Sequence, residues 1–168
     1  WDKYNSGGKE KGSEPAQDLR LETLAGVMRG DIQVQIHCYR ADEMMLMMDL
    51  AKEFNFKIAS FHHAVEAYKI AKPLAENNIC ASMWADWWGF KLEALDGIQE
   101  NIAMVDRQKN SCAIVHSDSA EGIQRLNQEA AKVTARASAL GMNGSPENAM
   151  RWLSLNPAKA LGIDKVTG

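Results

Sequence analysis

The chain has 168 residues, 46% of them hydrophobic and 24% charged, which is the composition of a globular protein with enough apolar material for one core. A formal net charge of −3 leaves no basic field to hold a nucleic-acid backbone or an anionic membrane surface, so neither is expected as a partner. No run approaches the ~18 to 20 apolar residues of a membrane span, and the opening WDKYNSGGKEKG has no signal-peptide core. A soluble protein is expected, cytoplasmic, or periplasmic or secreted if a signal peptide precedes this segment.

Residues 1–18 are polar and rich in Gly, Lys, Glu and Ser, the composition of a loop or frayed extension. The folded domain is expected over 19–168. A true N-terminus normally begins with methionine, so the opening on Trp1 carries the expectation that upstream sequence is missing or was processed away. Leu19, Leu21, Leu24 and Val27 recur at roughly helical intervals and stop at Gly30, which predicts a first helix. Short β-branched or apolar runs then alternate with longer stretches of helical period, predicting strands at 33–38, 57–62, 79–83 and 112–117. The helix after the first strand carries Met44, Met45, Met48, Ala51 and Phe54 on one face, a methionine stripe that reads as core packing. Pro73 predicts a kink or break in the next helix, because proline inside a helix costs roughly 3 kcal/mol unless it opens a first turn. A third helix is expected from about Gly97 to Lys109 and a long fourth before Gly141. A last one should be capped by Ser145 with Pro146 at its first position.

Cys38, Cys80 and Cys112 are odd in number and widely spaced, and each lies in or beside a predicted strand. They read as small buried residues, with no disulfide framework and no metal knuckle.

Strands separated by long helical connections need crossovers, which make parallel sheets covered by helices, so the class is α/β. Four βα units are about half of a (β/α)8 barrel; a doubly wound sheet is the competing architecture, and periodicity does not separate the two.

In either architecture the reacting groups collect at the C-terminal ends of strands. All four histidines of the chain lie there: the first strand ends at His37, the second at His62 and His63, and the fourth carries His116 before Asp118. Imidazole and carboxylate from separate strands form the donor set that zinc or a similar divalent ion requires. The constellation selects His37, His63 and Asp118 as ligands, with Asp118 also placed to move a proton, and leaves His62 and His116 as hydrogen-bonded structural residues. Alternation along the strand implies that if His63 points into the open face, His62 points elsewhere. The loop MWADWWGFK gathers Trp84, Trp87, Trp88 and Phe90, either a wall for a substrate pocket or a hydrophobic plug.

VQIHCYRADE, FHHAVEAYKIA, ADWWGFKLEA and VHSDSAEGIQRLNQEAAK followed by LSLNPAKALGID resemble consecutive blocks of imidazolonepropionase-like, metal-dependent amidohydrolases. The resemblance implies an α/β fold that is a partial TIM (β/α)8 barrel, the C-terminal half with strands five to eight. It implies metal ligation by His37, His63 and Asp118, His63 being preferred over His62 because the family ligand lies five residues before a tyrosine, here Tyr68. Tyr68, Arg40 and Trp87 become substrate contacts for a small-molecule or dipeptide-like substrate, and the cofactor becomes a divalent metal, zinc first. The expected activity of the full-length protein is hydrolysis of an amide, peptide-like or cyclic amide C–N bond by metal-activated water.

The family's first-strand His-x-His pair and fourth-strand lysine or acid have no counterpart here, nor does its glycine-rich tail. The alternative is therefore a truncated, non-catalytic fragment or assembly module. Its open sheet edges would favour self-association or pairing with a missing half-barrel. A nucleotide-binding domain is disfavoured, since no phosphate-loop motif follows a strand.

Overall fold

The computed structural model describes Asn5 and residues 16–167. In chain order its elements are α1 (Leu19–Arg29), β1 (Val34–Cys38), α2 (Ala41–Glu53), β2 (Ile58–His63), α3 (Ala71–Glu76), β3 (Cys80–Met83), α4 (Asn101–Asp106), β4 (Ala113–Val115), α5 (Leu126–Ala139), α6 (Pro146–Leu153) and α7 (Leu155–Ala160). Single 3-10 turns lie at Ala67–Ile70, Leu92–Ala94 and Ile123–Arg125. The strands form one parallel sheet in the order β1-β2-β3-β4, as helical crossovers between consecutive strands require. No helix among the described residues is long and apolar enough to cross a membrane. Of the polar segment 1–18, all but Asn5 and residues 16–18 lie outside the described residues.

One face of the sheet carries the core. Phe61, Ala81, Met83, Ala113 and Val115 pack with Met44 and Met48 of α2, Ile102 of α4, Val133 of α5 and Trp152 of α6. The register puts Gln35 opposite Ser60, His37 opposite His62, His62 opposite Ser82, and Ser82 opposite Ile114, so these residues share the other face. That face is polar at its C-terminal end.

The methionine stripe does pack in the core: Met44 and Met48 are buried and Met45 is half-buried against them. Phe54, predicted on the same face, is exposed at the helix end, and Phe56 packs in its place. The break foreseen at Pro73 falls at Ile70, where the 3-10 turn gives way to α3. Pro73 then sits in the first turn of α3, where a missing N–H costs little. Ser145 caps α6 through its hydroxyl, which accepts from Asn148 N, with Pro146 at the first position.

Other expectations need correction. Helix α1 begins at its Asp18 cap and ends at Gly30, whose φ of 81° suits glycine, but Leu19, Leu21 and Leu24 are exposed and only Gly26 is buried. Of its apolar stripe, Val27 alone is half-buried. The third predicted helix shrinks to Asn101–Asp106, since residues 97–100 are spent in a turn that enters it and Asn110 has a positive φ beyond it. Cys80 and Cys112 form a disulfide. Their separation of 32 residues hides the fact that each immediately precedes a paired residue, Ala81 opposite Ala113, on adjacent parallel strands. Cys38 is the free, buried cysteine among the described residues.

Candidate metal centre

The exit from β2 sets the geometry. His63 has φ 70° and Ala64 has φ 30°, the left-handed region that costs a non-glycine residue about 1 to 3 kcal/mol and persists only where the surroundings enforce it. Here they do. Ala64 N donates to Cys38 O at 3.0 Å, and the buried Asn101 amide donates to Ala64 O (3.0 Å) and Val65 O (2.9 Å) while its Oδ1 accepts from Tyr68 N at 2.8 Å. Glu66 ties the same loop to β1, with its carboxylate accepting from Ala41 N at 2.9 Å at the start of α2.

The left-handed step ends the pleat, so alternation fails at the one place where the sequence reading relied on it. His62 and His63 both face the same cluster. The His62 ring stacks on His37 at 5.3 Å and meets His116 at 5.8 Å, while the His63 ring lies 4.8 Å from His37 and 5.2 Å from His116. His62 Nε2–H donates to Gln35 Oε1 at 2.9 Å, and Gln35 Nε2 donates to Ala160 O at 2.8 Å. That nitrogen of His62 is committed as a donor and has no lone pair for a metal.

His63 is the hub. Its Nε2 stands 2.7 Å from His37 Nδ1; its Nδ1 stands 3.2 Å from His116 Nε2 and 3.4 Å from Asp118 Oδ2. His116 Nε2 is in turn 3.4 Å from Asp118 Oδ1. Two atoms bound to one zinc ion at ~2.0 to 2.1 Å with tetrahedral angles lie about 3.3 Å apart. The His63–His116 separation is close to that edge, each ring comes within 3.4 Å of a different oxygen of Asp118, and one ligand atom from each of the three residues lies within 4.8 Å of the others. The His37–His63 contact is shorter, the length of a direct imidazole–imidazole hydrogen bond. The three residues selected from the sequence thus meet around one ring, but at its two different nitrogens, and His116 joins them.

Burial favours the neutral form of His62, His63 and His116. His63 is pushed down to about 4, chiefly by burial against the opposing pull of Asp118, with His116, His37 and His62 adding to the fall. Burial also lowers His116, again against Asp118, and lowers His62 with help from His37. Neutral rings keep lone pairs free at neutral pH, so the donor set fits a divalent cation.

The other predicted contacts lie further out. Arg40 pairs with Asp42 through two bonds of 3.0 Å, on a cleft shared with Glu66, Lys69 and Asp96, and Tyr68 Oη donates to Asp96 O at 3.2 Å. Neither has a hydrogen bond to the histidine cluster. Trp87 packs on Trp84 at 4.7 Å, and Trp84 packs on His63 at 5.1 Å, so Trp84 links the aromatic loop to the site. The sequence reading missed Tyr39, which stacks on His63 at 4.9 Å; its place two residues after His37 was the available signal. It also missed Lys91, whose ammonium lies 3.7 Å from the Tyr39 ring centroid and for which no local pattern gave a cue. Clefts of about 350 and 430 Å³ at the N-terminal ends of the strands hold no histidine or carboxylate.

A parallel α/β sheet with imidazole and carboxylate converging at its C-terminal end defines an α/β fold with a donor cluster that could hold a metal ion. Comparison with known proteins narrows this. No family model matches the chain. The chain is similar to "Amidohydrolase tasK" of Hapsidospora irregularis, 30% identical over 120 residues that cover 69% of this chain and 12% of that protein. It is also similar to the crystal structure of an amidohydrolase from Thermotoga maritima MSB8, with a TM-score of 0.78 and 30% identity, over 99% of this chain and 42% of that one. The chain therefore spans a small part of the curated relative and less than half of the solved one. Both likenesses support an amidohydrolase family, and the four-stranded sheet matches a partial barrel.

Proposed function

We propose that the chain carries one side of the active site of a metal-dependent hydrolase of C–N bonds, of the imidazolonepropionase-like kind, with His63 and Asp118 at its centre. The observation that supports this most is the convergence of His63 Nδ1, His116 Nε2 and the two oxygens of Asp118 at 3.2 to 3.4 Å, a donor set that suits one divalent ion. His116 is the third donor by geometry; His37 is the third donor by resemblance, using the opposite nitrogen of His63. A divalent ion held there, zinc by the nitrogen and oxygen donor set, supplies Lewis acidity that makes water acidic near neutral pH and polarises a carbonyl.

The chain's own groups do the rest. His63 offers a neutral nitrogen because it is buried, and Asn101 keeps its ring in place by holding the strained turn. Asp118, the most exposed of the three, is placed to accept a proton from attacking water as the new C–O bond forms. It then returns that proton to the nitrogen as the C–N bond breaks. Tyr68, Arg40 and Trp87 are retained as contacts for the outer part of a small-molecule or dipeptide-like substrate.

The test is hydrolysis of N-acyl amino acids, dipeptides and aryl amides by the polypeptide that contains this segment, with and without chelator. Chelator-sensitive turnover that falls at least 100-fold in Asp118→Asn is the expected result; turnover indifferent to both would refute the proposal. A second reading, a non-catalytic or assembly module, is favoured by the sheet itself, whose edge strands β1 and β4 each lack a neighbour on one side among the described residues. A concentration-dependent mass in light scattering, with no turnover, would favour that reading.

A further inference from the structure

Trp84 is the centre of an aromatic cluster that borders the histidines. Its ring centroid lies 5.1 Å from His63, 6.4 Å from His116, 5.6 Å from Tyr39, 4.7 Å from Trp87 and 5.7 Å from Phe90. Trp87 lines the same cleft as His116, and its ring stacks on Phe90 at 4.9 Å and 22°. Trp87 is 40% exposed and Phe90 49%, so a stacked pair of apolar rings beside two candidate donors stays open to a ligand.

Lys91 stands on the rim of this cluster. Its ammonium lies 3.7 Å from the Tyr39 centroid and 5.7 Å from the Phe90 centroid, and Tyr39 itself stacks on His63 at 4.9 Å. One ring therefore separates the cation from the hub of the site. The backbone that carries it is pinned: Gly89 N donates to Ala94 O at 2.8 Å, Ala94 N donates to Lys91 O at 3.0 Å, and Ala94 is buried with Val65 and Trp84.

Charge singles this residue out. Arg40 is paired with Asp42, Lys69 with Glu66 and Asp96, and Lys132 with Asp86 and Glu129. Lys91 has no ion-pair partner among the described residues, and a ring face occupies only one side of an ammonium that has three donors. The divalent ion proposed at His63 and Asp118 carries charge of the same sign, so ion and lysine act together on an anion.

We propose that Lys91 is a specificity-determining residue, whose ammonium binds a negatively charged group on a substrate that lays an apolar side chain on Phe90 and Trp87. For the hydrolase reading, on which the word substrate rests, this selects acylated aromatic amino acids with a free carboxylate over their neutral amides. The rings supply apolar contact, and the ammonium supplies the preference for charge.

The experiment is a tryptophan-fluorescence titration of the chelator-treated chain with N-acetylphenylalanine and, separately, with N-acetylphenylalaninamide, which has the same side chain without the charge. Wild type should bind the acid roughly three- to fivefold more tightly than the amide, the range of an exposed ion pair. Lys91→Gln should bind both equally, by losing affinity for the acid alone, and Lys91→Arg should restore the preference. Phe90→Ala should weaken both ligands. No saturable binding of the acid, equal binding of acid and amide by wild type, or an equal loss of both in Lys91→Gln overturns the proposal. The titration reads binding without metal or turnover, so its failure is separable from failure of the metal reading, which zinc affinity reports.

Discussion

The two ends of the sheet are built on opposite principles. At the N-terminal end, neighbouring strands are joined covalently by Cys80–Cys112, Ile114 and Ala160 pack against the bridge, and Asn156 Nδ2 donates to Ala113 O at 2.7 Å. At the C-terminal end the strands finish in imidazoles at hydrogen-bonding distance, a backbone turn in the left-handed region, and a tryptophan with an unpaired N–H. The first end is closed by a covalent bridge and a buried amide bond, whereas the second end holds strain and unspent donor and acceptor capacity. Strain and incomplete pairing are tolerated at functional ends when the rest of the structure is over-determined. Gln35 couples the two, reaching down to Ala160 O and up to His62.

Three changes would break or sharpen that contrast. The largest is at the closed end: Cys80→Ser with Cys112→Ser opens a loop of 32 residues, and chain entropy sets the loss near 3 to 4 kcal/mol in chemical denaturation. Zinc affinity should stay within a few-fold, since the bridge touches none of the donors. A hundredfold loss of zinc in that variant would erase the distinction between the ends. Next comes Asn101→Ala, which strips partners from Ala64 O, Val65 O and Tyr68 N and should cost about 3 kcal/mol. Unlike the disulfide variant it should also weaken zinc binding, about 10- to 100-fold, because the turn aiming His63 is released. Smallest is the behaviour of Cys38, whose thiol is pushed up to about 11, first by burial and then by Glu43. A raised pKa keeps the unreactive thiol form, so alkylation followed by mass spectrometry should rise about tenfold per pH unit from 8 to 10. A plateau below pH 9 would contradict that environment.

Much of this was legible beforehand, and the misses have physical causes. Strand positions and the collection of histidines at strand ends followed from period-two and helical patterning, which survive because each strand and helix buries one face. The disulfide was not legible, because lateral neighbours in a parallel sheet are separated by a whole crossover. The paired orientation of His62 and His63 was hidden too: HHAV contains no glycine to announce a left-handed step, and the Asn101 that enforces it lies 37 residues beyond Ala64. The α1 stripe was legible as helical, but not that Leu19, Leu21 and Leu24 stay exposed, since periodicity reports a face without naming what covers it.

The central claim is that His63 and Asp118 hold one divalent ion, and zinc titration by competition with a chromogenic chelator tests it most directly. Roughly a hundredfold or greater loss of affinity is predicted for His63→Ala and for Asp118→Asn, with His62→Ala within threefold of wild type. The larger loss between His37→Ala and His116→Ala then marks which nitrogen of His63 faces the ion. Unchanged zinc affinity in His63→Ala, or a loss no greater than in His62→Ala, would contradict the account.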